Sequence, residues 1–569
     1  MSAESSTTMV DLLRDRAAAQ PGERACTFMD DGERHGPSLT WAQVETRARA
    51  IANAIGRHVE PGDRVLVMFP PSVDFVPAFF AVLYAGAVAV PVYPPAGVKA
   101  ERTVARLRGM VADSKPALVL APSWPPAQMG VLVAAVPELA ALPWLDPSYV
   151  MNEEADDWRT PAIGASSLAF LQYTSGSTSS PRGVMVTHGN LLHNLRQTHI
   201  DAGYDRSSVS VSWLPVNHDM GLINGVLQPA FSGCPAYLMS PAAFLQRPAR
   251  WLEAISRLGA THSGAPNFAY DLCTRKVSED ESSSLDLSSW RVAYNGSEPV
   301  RSFTLEGFQR AFGIRGFRWA AFSPAYGLAE STLLVTSIPA AMPPTLVGGA
   351  VASGADPGTR GVVIVNPDTR ARCVEGRAGE IWLQSRSVAA GYWGRAEETL
   401  ATFHAFTSDT HEGPFLRTGD IGFIHHDRLF VSGRIKDLVI VRGLKHYPQD
   451  LELTAERAHP AVRPGGCAAF SLERNDHEHL VIVAEIDTRR QQAPTDAELS
   501  QVLGAIRIAV TATHHVAPSI VTLVAPGAVP KTTSGKLQRY LCREALMAGA
   551  LEVIAALDET DAPCARAAS

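Results

Sequence analysis

Several features that would define a class of protein are missing from this sequence. Its seven cysteines include no Cys-x-x-Cys pair, which argues against a disulfide or zinc framework. The formal net charge of −7 lacks the basic excess of nucleic-acid-binding proteins, so we expect no nucleic-acid partner. The most apolar window, residues 75–92, is broken by Pro77, Pro91 and several small residues, and we expect no transmembrane segment. The first eight residues carry no basic region followed by an apolar core, so a cytoplasmic protein is expected.

The sequence is instead rich in short apolar segments. Hydrophobic residues make up 46% of the 569 positions and charged residues 19%, enough apolar material for several large cores. No fixed-period repeat is visible, which argues against a solenoid fold. Strand-like runs alternate with helical patterns, and this alternation predicts parallel sheets covered by helices. The predicted helices are 41–55 and 73–85, and the predicted strands are 64–69, 87–92, 117–120, 209–214, 236–239, 291–294 and 320–323.

The pattern changes after about residue 360. Short strands with turns follow one another, which predicts a β-rich subdomain over 360–433. A charged junction at 434–437 separates them from a compact α+β unit with strands at 439–441, 467–472 and 480–486 and a helix at 496–512. The expected fold class is α/β: a large domain over 1–433 with two parallel-type sheets, and a small domain over 438–569.

A Gly/Ser/Thr-rich loop at 173–183 carries the most chemical information. A loop of this composition can turn several backbone N–H groups and hydroxyls toward one point, which suits a phosphate chain. It is not a Walker loop, because the Gly-Lys-Ser/Thr ending is absent. The alternative is a Ser/Gly surface linker.

Two further segments suit an acid-binding pocket and a base-binding surface. Residues 212–223 place Asn217, His218 and Asp219 ahead of an apolar run, as in a pocket with a carboxylate at its mouth and a hydrocarbon inside. The alternative is a helix N-cap at Asn217 or Asp219. The segment 326–332 sets an aromatic beside a glycine, which can stack on a flat base, and its carboxylate can bind Mg²⁺; the alternative is a buried helix start.

Three more segments look ordinary when each is taken alone. Residues 294–299 read as a strand–turn–helix junction. In 417–422 a tight turn at Asp420 could accept hydrogen bonds from a ribose, or could be a plain Asx turn. In 530–539 a lysine on a Gly/Ser loop can neutralise charge at a reacting phosphorus, or could be a solvated basic turn.

These segments in this order resemble the acyl-adenylate-forming superfamily, which includes acyl-CoA synthetases, luciferases and the adenylation domains of peptide synthetases. The resemblance covers almost the entire chain. It implies an ATP- and Mg²⁺-dependent ligase with catalytic residues at Lys536, Glu330 and His218, with Glu330 as the metal ligand and Lys436 as the hinge of a mobile C-terminal domain. The implied nucleotide-binding residues are Thr174, Ser175, Gly176, Ser177, Thr178, Arg182, Gly296, Ser297, Glu298, Pro299, Tyr326, Gly327, Leu328, Ala329, Ser331, Asp420 and Arg434. By the same resemblance, 294–299 and Tyr326 are similar to the adenine-site motifs, and Asp420 with Arg434 to the ribose-binding pair.

Within that superfamily, three stretches are similar to fatty acyl-AMP ligases: 69–75 with 91–95, 213–223, and 442–452. Such enzymes activate fatty acids as adenylates and pass the acyl group to the phosphopantetheine thiol of an acyl carrier protein. The resemblance therefore implies a medium- or long-chain fatty acid, or another bulky apolar carboxylic acid, as substrate. Parts of 213–232 and 264–268 are the expected pocket walls.

The sequence departs from the family pattern in two places. Ser179 and Arg182 stand where the superfamily usually has Gly and Lys in the phosphate loop, which raises the alternative of a non-catalytic adenylate-binding protein. The segment between Glu330 and Glu380 leaves little room for the insertion that fatty acyl-AMP ligases carry there. An acyl-CoA ligase that uses free CoA is therefore the second alternative.

Overall fold

A computed structural model describes residues 6–94, 100–174, 181–441, 444–474, 477–487, 494–532 and 535–559. The chain divides into two compact units. The first unit runs to Thr418 and includes Gly422–Val431, and the second comprises Gly419–Ile421 and the chain from Ser432 onward. The second unit thus resumes two residues ahead of the predicted hinge at 434–437.

Strands supply the frame of both units. In chain order they are β1 (Arg24–Asp30), β2 (Arg34–Thr40), β3 (Arg64–Met68), β4 (Val88–Val92), β5 (Leu118–Leu120), β6 (Trp144–Leu145), β7 (Leu168–Thr174), β8 (Arg182–Thr187), β9 (Ser210–Ser212), β10 (Ala236–Leu238), β11 (His262–Pro266), β12 (Val292–Gly296), β13 (Phe322–Gly327), β14 (Leu334–Ser337), β15 (Leu346–Val347), β16 (Ala350–Val351), β17 (Val362–Val365), β18 (Gly379–Leu383), β19 (Leu416–His425), β20 (Arg428–Arg434), β21 (Val439–Val441), β22 (Leu444–His446), β23 (Val462–Arg474), β24 (His477–Ile486), β25 (Ile520–Val524) and β26 (Val553–Asp558).

Helices cover these strands. They are α1 (Met9–Ala19), α2 (Trp41–Ile55), α3 (Phe75–Tyr84), α4 (Ala100–Ser114), α5 (Pro126–Ala135), α6 (His188–Ala202), α7 (Gln228–Ser232), α8 (Pro241–Gln246), α9 (Ala249–Leu258), α10 (Asn267–Lys276), α11 (Glu279–Ser282), α12 (Ser302–Phe312), α13 (Ala396–Phe403), α14 (Pro448–Ala458), α15 (Asp496–His514) and α16 (Arg539–Met547). A π-helical segment, Met220–Leu227, precedes α7.

Two large sheets form the body of the first unit, which confirms the expected α/β class. One has the strand order β6-β5-β3-β4-β7-β8, and the other β14-β13-β12-β11-β9-β10-β1-β2. Neighbouring strands are parallel inside each sheet, whereas β7–β8, β13–β14 and β1–β2 are antiparallel. Loops at the carboxyl ends of parallel strands are where α/β proteins usually place their ligands.

Helix α3 lies at the centre of the core of this unit. Its sequence is apolar on all sides and every one of its residues is buried, as a helix without a polar face requires. Helix α2 begins at Trp41, as predicted, because Thr40 caps it: the Thr40 hydroxyl accepts a hydrogen bond from Gln43 N–H, and the Gln43 side chain accepts one from Thr40 N–H.

Smaller sheets complete both units. Strands β17, β18, β19 and β20 form a four-stranded sheet in that order. In the second unit β23, β24, β25 and β26 form another sheet, in which only the β24–β25 pair is parallel, and α14 and α15 contribute to the core against it. None of the helices among the described residues is both long and apolar enough to cross a membrane.

Candidate active site

The structure describes only the two ends of the predicted phosphate loop. Thr174 ends β7 and Arg182 begins β8, and the two residues are paired across the antiparallel strands. The predicted residues Ser175, Gly176, Ser177 and Thr178, as well as the departure at Ser179, lie outside the described residues.

Glu330, the predicted metal ligand, is held by a residue that lies far along the chain. The Tyr392 hydroxyl donates a hydrogen bond to Glu330 Oε1 at 2.8 Å, and Ala389 N–H donates to the Glu330 carbonyl at 2.9 Å. Burial raises the pKa of Tyr392, and the Glu330 charge raises it further, so the phenol stays protonated. The Arg182 guanidinium lies over the Tyr392 ring, 5.3 Å from its centroid. Tyr392 therefore connects the predicted metal ligand to the end of the phosphate loop.

A network of charged side chains surrounds the same end of the loop. Arg182 Nε is 2.9 Å from Glu398 Oε2, and Arg395 Nη1 donates to Glu398 Oε1 at 2.9 Å. Arg395 also donates to the Pro181 carbonyl at 3.2 Å. Asp113 accepts a hydrogen bond of 2.6 Å from the Tyr173 hydroxyl. The sequence reasoning missed this network because its members come from segments more than 200 residues apart and no local motif marks them.

The segment after Tyr326 has a strained backbone. Thr332 is fully buried with φ 66° and ψ −64°, values that a β-branched residue rarely adopts. Leu333 N–H donates to the Ser331 carbonyl at 2.7 Å, which closes a γ-turn, and the Thr332 hydroxyl donates to the Ser387 carbonyl at 2.7 Å. Strain of this kind persists where surrounding contacts fix it, and it clusters at functional sites.

Close approaches of the backbone bring the two predicted adenine-site segments together. A Cβ at Gly296 would lie 2.8 Å from the Ala325 carbonyl oxygen, and one at Gly327 would lie 1.9 Å from the Leu333 oxygen. Both positions therefore need glycine. Gly296 ends β12, Tyr326 lies near the end of the adjacent β13, and the strand–turn–helix alternative for 294–299 correctly describes the local structure. The alternative of a buried helix start in 326–332 fits only a short 3₁₀ turn, Ala329–Ser331, since Tyr326 itself lies in a strand.

The remaining residues of these segments differ in burial. Ser297, with φ 68°, and Glu298 are half-buried, and Glu298 accepts a hydrogen bond of 2.5 Å from Phe268 N–H. Pro299 follows in the connection to α12 and is exposed. Beyond Tyr326, the predicted residues Leu328, Ala329 and Ser331 are buried.

The loop with the predicted acid-binding residues leads into the π-helical segment. Asp219 caps it by accepting a hydrogen bond of 2.7 Å from Met220 N–H, so the N-cap alternative is confirmed for Asp219. His218 Nδ1 is 2.6 Å from the same Asp219 oxygen, which orients the imidazole. A Cβ at Gly221 would lie 2.1 Å from the Pro215 carbonyl oxygen, so only glycine allows this loop to fold back. Single turns of π-helix are frequent at functional sites.

An apolar cavity lies against this loop. Its empty volume, including the space that opens to solvent, is about 430 Å³. Leu214, Pro215, Val216 and Asn217 of the loop lie on one side of it. The other walls come from β1, α3, β4 and β10 and from the segments after β3, β4 and β10, and include Phe28, Phe69, Phe75, Val92, Tyr93, Leu238 and Met239. We refer to it below as the apolar cavity.

Asp420 does not lie in a tight turn, and that prediction is wrong. Strand β19 runs unbroken from Leu416 to His425, because Gly419 takes φ 70° inside the strand instead of ending it. Asp420 is buried, and one of its carboxylate oxygens is 2.9 Å from Arg434 Nε. The structure thus brings together the two predicted ribose-binding residues.

The predicted hinge and the predicted catalytic lysine both lie in the second unit. Lys436 occupies a short 3₁₀ turn, Ile435–Asp437. Lys536 lies in a tight turn that closes when Thr532 N–H donates to the Lys536 carbonyl at 2.8 Å. Arg539, three residues later, contacts Glu452 at 2.6 Å and Asp437 at 2.9 Å. Arg539 therefore ties the lysine turn to the hinge segment.

Comparison with known proteins decides the family. The AMP-binding enzyme model matches residues 13–393, and the model for the AMP domain of Disco-interacting protein 2-like proteins matches 436–556. The chain belongs to the AMP-binding enzyme family. Adenylate-forming enzymes of this family use ATP. The family match confirms the expected adenylating ligase.

Individual relatives are similar over nearly their full lengths. The chain is 40% identical to the medium-chain-fatty-acid–[acyl-carrier-protein] ligase JamA of Moorena producens, over 97% of each chain. It is 38% identical to the long-chain-fatty-acid–AMP ligase FadD23 of Mycobacterium tuberculosis, over 94% of this chain and 96% of the relative. Among solved structures, the fatty acyl-adenylate ligase of L. pneumophila in complex with acyl adenylate and pyrophosphate matches with a TM-score of 0.73 and 37% identity, over 98% of this chain and 99% of that one.

Proposed function

We propose that this member of the family uses ATP to activate a medium- or long-chain fatty acid, or another bulky apolar carboxylic acid, as an acyl-adenylate. It then passes the acyl group to the phosphopantetheine thiol of an acyl carrier protein. The observation that carries the proposal is the apolar cavity, which lies against the loop of Asn217 and His218. The fatty-acid ligase names of its relatives support the same substrate class.

In the first step an oxygen of the substrate carboxylate attacks the α-phosphorus of ATP. The bond from that phosphorus to the bridging oxygen of the β-phosphate breaks, and pyrophosphate leaves. We assign Thr174, Arg182 and the residues between them to the leaving phosphates, because hydroxyls, backbone N–H groups and a guanidinium stabilise developing negative charge. We assign His218, which Asp219 orients, to the carboxylate end of the acid.

Glu330 fits the role of a Mg²⁺ ligand. No cluster of three or more His, Cys, Asp or Glu side chains that could hold a metal occurs among the described residues. Mg²⁺ at a nucleotide needs fewer protein ligands, since it commonly binds one or two carboxylates together with phosphates and water. The Tyr392 hydroxyl donates a hydrogen bond to Oε1 of the carboxylate, which orients Glu330. When bound, the ion would neutralise charge on the departing pyrophosphate.

We assign the two parts of the nucleoside to separate groups of residues. We assign Gly296–Pro299 and Tyr326–Ser331 to the adenine, because they lie at the adjoining ends of the neighbouring strands β12 and β13. We assign Asp420 to the ribose hydroxyls, with Arg434 holding its carboxylate in place.

The second step needs the C-terminal domain to move. We propose that Lys536 neutralises charge between the carboxylate and the α-phosphate during adenylation, and that residues 438–569 then rotate about Lys436 in the hinge 434–437, away from residues 1–433. The rotation would let a thiolate attack the acyl carbon, with AMP as the leaving group. Conformational steps of this kind commonly separate two half-reactions.

Two alternatives have specific observations in their favour. Between Glu330 and β17 the chain forms β14 and a small hairpin, β15–β16, which leaves little room for the insertion of fatty acyl-AMP ligases and favours free CoA as acceptor. The ion pair of Arg182 with Glu398 offsets a cation that would otherwise face phosphate, which favours a non-catalytic adenylate-binding protein. Turnover with CoA would establish the first, and absence of any turnover would establish the second.

Replacement of Lys536 tests the proposal. Lys536→Ala is expected to lower ATP–pyrophosphate exchange with a fatty acid by at least about 100-fold, the usual loss when one group that stabilises transition-state charge is removed. Lys276→Ala, the same change at the exposed end of α10, is the control and should exchange like the unaltered protein. Equal exchange rates for the two variants would exclude the assigned role of Lys536.

A further inference from the structure

A second cavity lies on the other side of Leu214 from the apolar cavity. Its empty volume is about 260 Å³, and Leu214 lines both cavities. Its walls come from β9, β11, β12 and the π-helical segment. Six of its lining side chains carry a hydroxyl or an amide: Tyr204, Ser210, Ser212, Asn224, Ser263 and Tyr294. We refer to it below as the polar cavity.

Two polar atoms of this cavity lack a hydrogen bond of good geometry. The Tyr294 hydroxyl interacts with that of Tyr204, which helps to raise the Tyr294 pKa, but the two form no well-aligned bond, and Asn224 Oδ1 has none with any described residue. Tyr294 is only 4% exposed. A buried polar group without a partner is costly, so such atoms usually face a water or a ligand. The polar cavity is therefore suited to bind a group that forms hydrogen bonds with these two atoms.

The two atoms have complementary chemistry. Burial raises the pKa of the Tyr294 and Tyr204 phenols, so both keep their protons and Tyr294 can donate a hydrogen bond. The Asn224 amide oxygen can only accept one. A group that accepts from a phenol and donates to an amide oxygen is an alcohol, whereas a ketone would satisfy only the tyrosine.

Small residues keep the cavity open. A Cβ at Gly264 would lie 2.4 Å from Tyr294 Cβ, so the tyrosine needs glycine beside it on β11. A Cβ at Gly225 would lie 3.0 Å from Ser212 Oγ. Ser210 and Ser212 are two residues apart on β9, so both side chains point to the same face of the sheet.

The polar cavity lies beside the proposed reaction centre. Tyr294 precedes Gly296 by two residues on β12, and Gly296 begins the proposed adenine-binding segment. Met220, another residue of the cavity wall, accepts a hydrogen bond of 3.7 Å at its sulfur from Ser297. An acid that extends from this centre into the apolar cavity would therefore pass the polar cavity with its first carbons.

We propose that the preferred acid is a hydroxylated fatty acid whose hydroxyl, close to the carboxyl end, binds in the polar cavity to Tyr294 and Asn224 while its hydrocarbon chain occupies the apolar cavity. This inference rests on the proposed function and narrows its substrate class. The competing occupant of the polar cavity is ordered water, which would satisfy the same two atoms.

Competition between acids tests the inference. The enzyme, ATP and Mg²⁺ receive equal amounts of a plain fatty acid and of isomers of equal chain length with a hydroxyl near the carboxyl end or at the far end. Acyl-adenylates are quantified by mass spectrometry. The near-carboxyl isomer should be preferred over the plain acid by about ten-fold, the discrimination that one buried hydrogen bond supports.

Substitutions in the two cavities test whether the preference for the hydroxylated acid arises in the polar cavity. Tyr294→Phe should reduce the ratio of hydroxylated to plain product by about ten-fold, and Asn224→Leu should act in the same direction. Tyr93→Phe, the same chemical change in the wall of the apolar cavity, should leave the ratio of the two acids unchanged.

Each remaining outcome overturns the inference. Equal use of plain and hydroxylated acids would mean that water occupies the polar cavity, and a preference for the far-end isomer would contradict the placement. A ratio that responds to Tyr93→Phe but not to Tyr294→Phe would move the hydroxyl to the other cavity. No adenylate from any acid would contradict the proposed function itself, and adenylate from the plain acid alone would leave that function intact.

Discussion

The two cavities on either side of Leu214 differ in how they can select a ligand. The walls of the apolar cavity are mostly Phe69, Phe75, Val92 and similar side chains, so it selects mainly through burial of hydrocarbon. Each methylene there is worth about 1–3 kcal/mol of discrimination. The polar cavity offers a phenol and an amide oxygen, which select through the cost of leaving a buried group unpaired. The loop 214–220 thus contributes to two cavities. One is suited to select acids by the length of their hydrocarbon chain, and the other by the presence of a hydrogen-bonding group.

The largest effect should come from the loop that both cavities share. Gly221→Ala would place a Cβ 2.1 Å from the Pro215 oxygen and would force the loop away from its position. We expect adenylation of every acid to fall by about 100-fold or more, since a displacement of about 1 Å near a reacting centre has that consequence.

A glycine in open space provides the control for this variant. A Cβ at Gly504, inside α15, would have no neighbour within 4 Å, so Gly504→Ala should keep full adenylation activity. Measured kcat/KM for a short plain acid and a long plain acid decides the outcome. If Gly221→Ala affected only one of the two acids, the loop would not be common to both cavities.

A substitution confined to the apolar cavity should change kcat/KM by an amount that depends on the chain length of the acid. Met239→Trp fills part of that cavity, so we expect kcat/KM for long plain acids to fall by about ten-fold or more while short acids are affected little. Met547→Trp, on an exposed side chain of α16, is the matched control. A chain-length profile identical to that of the unaltered protein would show that the acyl chain lies elsewhere.

The smallest expected effect is the pH dependence of folding stability that arises from His262, which packs against a tyrosine of the polar cavity. His262 stacks on Tyr204 with ring centroids 3.8 Å apart, and burial lowers its pKa to about 4 from an ordinary value of 6.5. The folded state therefore prefers neutral His262. Between pH 6.5 and 4 the unfolded chain binds the proton first, so stability is complete above 6.5 and falls as the pH decreases.

The size of this loss can be measured by urea unfolding. From the two pKa values we expect His262 to account for about 2 kcal/mol less unfolding free energy at pH 5 than at pH 7. His188, whose pKa burial also lowers to about 4, should contribute a similar amount in the first unit. In His262→Gln the slope of stability against pH should become shallower, and an unchanged slope would contradict a neutral, buried imidazole.

Periodicity and motif order predicted the fold and much of the site. The helix over Trp41–Ile55 and the strand over Val439–Val441 have the predicted bounds, because a capping box and a short apolar run are local signals. The prediction of a turn at Asp420 was wrong because β19 stays paired with its neighbouring strands although Gly419 has a positive φ. No local sequence pattern indicates that pairing.

Other parts of the site have no signal within one sequence segment. Tyr392 lies 62 positions after Glu330 and reaches it only because the chain between them folds back. The polar cavity is assembled from four elements, and its only local trace is the alternation of Ser210 and Ser212 on β9. Contacts made across the fold decide such features, so they become visible only in the structure.

The most direct test of the account is mass spectrometry of one reaction mixture of the unaltered protein, ATP, Mg²⁺, a panel of plain and hydroxylated fatty acids, and either a phosphopantetheinylated acyl carrier protein or CoA. The account predicts acyl-adenylate and pyrophosphate in every mixture that contains an accepted acid, and acylated carrier protein in preference to acyl-CoA. The absence of acyl-adenylate with every acid of the panel would contradict it.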